Sequence, residues 1–66
     1  MRDAVPGLFA NITAKLEDMH AIAMEGQRRD NAPDMQRVLA SQLRMGIVSL
    51  DRVLAKVKQK LGDDHE

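Results

Sequence analysis

The sequence predicts an all-α protein, an antiparallel two-helix hairpin that dimerises into a four-helix bundle. Three observations lead there. Two long segments space their apolar residues by three and four positions, which at about 100° per residue gathers each set on one helix face. A polar stretch from Gly26 to Ala32 separates them and is short enough to make the helices antiparallel neighbours. The chain has 66 residues and no cysteine, so a lone core is marginal and neither disulfides nor thiolate metal sites reinforce it. Self-association is the remaining route to a stable core.

Helix one is read over residues 4–25. Asp3 is placed as its N-cap, with Ala4, Val5 and Pro6 in the first turn, where a proline forfeits no helical hydrogen bond. Val5, Leu8, Phe9, Ile12, Leu16, Met19 and Ala23 form its apolar stripe, and Glu17, Asp18 and Glu25 lie behind it. The connection occupies 26–32. Asn31 is placed as the N-cap of helix two, with Asp34 three residues on as its capping-box partner.

Helix two is read over residues 33–61, with Met35, Leu39, Leu43, Ile47, Leu50, Leu54, Val57 and Leu61 along its stripe. Lys56, Lys58 and Lys60 complement the negative end of the helix dipole, and Gly62 ends the helix. Residues 62–66 form an acidic tail, so residues 1–66 make one hairpin with no second domain.

Helix two is more apolar than one hairpin uses. Gly46 and Val53 flank its stripe, while Val38, Met45 and Val48 point away from it. A small monomer seldom exposes that much apolar surface in one patch, and a four-helix bundle widens the buried arc of each helix. The expected core and self-association set is Leu8, Ile12, Leu16, Met19 and Ala23 on helix one. On helix two it is Leu39, Leu43, Gly46, Ile47, Leu50, Val53, Leu54, Val57 and Leu61. Glycine inside a helix costs about 1 kcal/mol relative to alanine, so Gly46 is expected at a close crossing of backbones. Val38, Met45 and Val48 are the expected partner face, since a thioether side chain adapts to irregular grooves.

The sequence offers little chemistry. His20 stands alone at the edge of a stripe and His65 lies in the tail, whereas a structural metal site takes about four ligands in fixed geometry. Glu17 and Asp18 face solvent, and acid–base catalysis needs carboxylates held in a partly buried cleft. There is no nucleophile triad, no glycine-rich phosphate loop and no paired-histidine motif. The chain is therefore expected to be no enzyme and to need no cofactor or metal.

Ten basic and ten acidic side chains cancel, and Phe9 is the sole aromatic, which leaves little material for base stacking. The distribution is uneven. Helix two carries Arg37, Arg44, Arg52, Lys56, Lys58 and Lys60 against Asp34 and Asp51, a local excess of about four positive charges. Arg37, Arg44 and Lys58 step by sevens along one flank, with Asp51 in the missing place; together with Arg28 and Arg29 at the turn they form the alternative, nucleic-acid-binding face. Solubilising flank charges explain the row more economically. No apolar run approaches the length of a membrane span, and a cytoplasmic protein without membrane contact is expected.

The length, the two-helix outline and the ending Leu61-Gly62-Asp63-Asp64 resemble the repressor-of-primer family of plasmid copy-number regulators. That resemblance implies a dimeric four-helix bundle and lends weight to RNA binding. Helix two is longer here and the connection differs, so no RNA-contacting residue carries over by position. The functional expectation is a small non-catalytic interaction or regulatory protein that acts through self-association and a partner-binding helix face.

Overall fold

The structure, a computed structural model, describes residues 4–62, and Asp3 and the tail residues Asp63 to Glu66, including His65, lie outside the described residues. Two helices fill it: α1, Val5–Gly26, and α2, Pro33–Leu61, packed side by side as an antiparallel hairpin. Pro6 sits in the first turn of α1 and Pro33 opens α2, both where the missing N–H would have had no helical partner.

The connection is held by the end of α1. The amides of Gln27 and Arg28 donate to the carbonyls of Met24 and Glu25 at 3.1 and 3.2 Å, closing the last turn. Asn31 was expected to cap α2, but its side-chain amide reaches backward and donates to the Glu25 carbonyl at 2.6 Å. The N-cap of α2 is Ala32, which has no side-chain cap, and Asp34 pairs with Arg37 at 2.7 Å instead of closing a capping box. An asparagine serves either helix equally well by residue type; the free carbonyls of α1 took it. At the far end Gly62 has φ 81°, the left-handed region that favours glycine, and its amide donates to the Lys58 and Gln59 carbonyls.

The hairpin is a rod of 49 × 17 × 13 Å with a radius of gyration of 15.5 Å. A globular domain of this length has a radius of gyration of about 11 Å, so a single layer of two helices accounts for the whole structure. Among the described residues only Leu39, Val53 and Val57 are buried, and no side chain is fully enclosed. Around them lie the half-buried Val5, Leu8, Ile12, Lys15, Met19 and Ile22 of α1 and Leu43, Gly46, Ser49 and Leu50 of α2.

Gly46 sits where α2 passes Met19. A Cβ built there falls 2.8 Å from Met19 Cγ and 3.0 Å from its sulfur, closer than side-chain atoms tolerate. The glycine gives up helix propensity and in return lets the thioether lie against the α2 backbone.

Candidate interaction surfaces

The contact rows of the hairpin follow a seven-residue step. On α1 they are Val5, Ile12, Met19 and Gly26, beside Leu8, Lys15 and Ile22. On α2 they are Leu39, Gly46 and Val53, beside Leu43, Leu50 and Val57. Each helix then carries one apolar row more: Phe9, Leu16 and Ala23 on α1, and Ala40, Ile47, Leu54 and Leu61 on α2. These third rows are open. Phe9 and Leu16 are each 51% exposed and Ile47 is 59% exposed.

Both open rows turn in the same rotational sense from their contact rows. In an antiparallel pair, equal rotations bring the two flanks to the same side, so Phe9, Leu16, Ile47, Leu54 and Leu61 line one face of the rod. Three apolar rows in seven is the pattern of a helix that packs against two neighbours, not one. The opposite side differs in kind: its flanking rows are Gln42, Ser49 and Lys56 on α2 and Asn11, Asp18 and Glu25 on α1. The rod has a greasy face and a polar one.

The apolar face is uneven along its length. Its turn end carries the small residues Ala23 and Ala40 and a shallow recess of about 310 Å³ bordered by Ile22, Ala23, Leu39, Ala40 and Leu43. Its other end carries Phe9, Leu54 and Leu61, all near half exposure.

A second apolar strip runs along α2, about 130° round the helix from the buried rows. Val38, Met45 and Val48 form it, with exposures of 50, 72 and 48%. Met45 and Val48 border a shallow recess of about 380 Å³ completed by Ser49 and the guanidinium-bearing Arg44 and Arg52. The three residues share one surface, as their spacing requires, and α1 does not reach it.

The five cations of the nucleic-acid reading are not equally available. Arg28 bonds Asp30 at 2.8 Å and Glu25 at 3.0 Å, and Arg37 bonds Asp34 at 2.7 Å. Asp30 first, then Glu25, hold the Arg28 guanidinium above its ordinary range. Among the described residues the ion pairs engage no cation besides these two, so Arg29, Arg44 and Lys58 pair with no carboxylate of the described residues. Lys15 and Asp18, spaced to pair on α1, do not. His20 is exposed, and among the described residues no group of three or more His, Cys, Asp or Glu could hold a metal ion.

Ile22 is the contact residue that the apolar stripe of α1 passed over. Its row is Leu8, Lys15, Ile22, and a lysine in the middle disguises it. The lysine is itself half-buried, as a long aliphatic stem beside apolar neighbours can be. Among the described residues no helix is long and apolar enough to cross a membrane. Comparison of the chain with protein-family models, with curated proteins and with solved structures gives no match.

Proposed function

We propose that the chain is a small non-catalytic interaction module whose working form is a homodimer, a four-helix bundle closed over the Phe9, Leu16, Ile47, Leu54 and Leu61 face. The observation that supports this most directly is the third apolar row on each helix, exposed in the hairpin and all on one side. A rod with three buried residues has too little core to be stable alone, and a second copy laid on that face supplies the missing layer.

The unevenness of the face favours one arrangement. Turning the second copy end for end brings the bulky Phe9 end of each chain to the Ala23 and Ala40 recess of the other. Each α1 then lies against the partner's α1, with Leu16 near the middle of the contact.

The natural absence of cysteine makes the test direct. A Leu16→Cys variant is oxidised gently and run without reductant, beside sedimentation of the parent protein. The expected result is a dimer mass for the parent and efficient crosslinking of the variant. A parent that stays monomeric and fully helical at about 100 µM refutes the dimer; a dimeric parent whose variant does not crosslink refutes only the end-for-end arrangement.

A further inference from the structure

We propose that the strip on the far side of α2 is a docking seam and that its occupant is an acid-flanked amphipathic helix of another protein. The seam is built in the pattern of a coiled-coil interface. Val38, Ser41, Met45, Val48, Arg52 and Ala55 follow each other by alternate steps of three and four. Together they span roughly 26 Å, the length of a helix of about five turns. Five of the six are apolar or small, and the recess at Met45 and Val48 offers a place for one side chain of an incoming helix.

The charges beside the seam select the partner. Arg44 and Lys58 stand on one margin, Lys56 on the other and Arg52 within it; Asp51 is the sole acid on those margins, since Asp34 is held by Arg37. Margin charges decide which helix is accepted by a heptad seam, because like signs across the contact repel. A second copy of α2 would bring cation against cation. A helix with leucines in its core positions and glutamates beside them meets apolar surface with apolar surface and each cation with a carboxylate.

This inference does not depend on the homodimer. The seam is centred about 140° round α2 from the Ile47, Leu54 and Leu61 row that would close the bundle, so Val38, Met45 and Val48 stay open whether the hairpin is single or paired.

The probe is a fluorescent three-heptad peptide with leucine at its core positions and glutamate on its margins, titrated with the 66-residue chain and followed by anisotropy. Its controls are the same peptide with lysine on the margins, a duplex RNA and vesicles containing phosphatidylserine. The acidic peptide is expected to bind and to weaken about tenfold or more when salt is raised from about 50 to 500 mM. Met45→Asp and Arg52→Glu are each expected to weaken it about tenfold while helicity and sedimentation mass stay unchanged. Equal binding of the lysine peptide, indifference to both substitutions, or capture of the RNA or the vesicles in preference to the acidic peptide overturns the proposal. Loss of binding in Leu16→Glu but not in Met45→Asp would place the peptide on the opposite face and overturns it too. The sedimentation mass, read on the same samples, reports separately on the homodimer.

Discussion

Replacing Ile47 by glutamate separates the hairpin from its assembly. In the hairpin Ile47 is 59% exposed, so with about 2.5 kcal/mol for burying the whole side chain the isolated chain loses only about 1 kcal/mol. In the dimer the same change removes the remaining burial twice, about 3 kcal/mol in all. It also drives two carboxylates into an apolar contact, and even a neutral polar group would cost about 1–3 kcal/mol there, so this is the least each adds. The sum is at least about 5 kcal/mol, which weakens dimerisation by a factor of about 10³ or more. Sedimentation equilibrium from about 5 to 200 µM reads this directly. The parent should give twice the 7.4 kDa chain mass and the variant the chain mass itself. The parent's melting temperature should rise with concentration, as it does when folding and association are linked. A variant that keeps the dimer mass, or a parent whose melting temperature does not change over that range, would show that the exposed rows are not the contact.

Three further outcomes follow from the geometry. Gly46→Leu forces side-chain atoms into the space of Met19 and should lower the melting temperature by at least about 5 °C in circular dichroism, whereas Gly46→Ala should recover most of its helix-propensity gain only when combined with Met19→Ala. A Gly46→Leu protein that melts with the parent would place the crossing elsewhere. Asn31→Ala removes the bond to the Glu25 carbonyl and should cost about 1 kcal/mol, seen as faster amide exchange at Gln27 and Arg28; unchanged exchange would mean that the turn is held by its backbone bonds alone. Gly62→Ala should fray the last turn of α2, because φ 81° disfavours a side chain, and the loss should show as weaker protection at Lys60 and Leu61 with the rest of α2 unaffected.

The all-α hairpin was legible because its signal is repeated many times over. Each helix offers a run of apolar residues at threes and fours, and a glycine-led polar stretch divides them, so no single residue decides the outcome. The face that each residue takes was harder to read. A stripe drawn at about 100° per residue accepts Phe9, Leu16 and Ala23 as readily as Leu8, Lys15 and Ile22, because both rows flank the same line through Ile12 and Met19. The two-helix contact uses the second row and leaves the first open, and only the partner helix decides that. On α2 the same ambiguity put Ile47 and Leu54 in the stripe and Gly46 and Val53 beside it, whereas Val53 is among the most buried residues and Ile47 among the most exposed. Lys15 shows why composition misleads at this level: a charged residue in a contact row is read as solvent-facing, although its stem can cover apolar surface. Capping is local and degenerate in a different way. Asn31 lies within reach of the end of one helix and the start of the next, and nothing in its identity says which it will serve.

The opposed strips of α2 also set a valency. A homodimer would carry two acid-selective seams, and the end-for-end arrangement would put both on the same flank of the bundle, running in opposite directions. A client with two acidic helical segments joined by a turn would engage both at once, the second at the high local concentration set by the turn and not by the solution. A client with one segment would gain nothing from the pairing. Dimer dissociation would then act as a gate on which clients are held, releasing the two-segment kind by orders of magnitude in affinity while leaving single-segment binding unchanged.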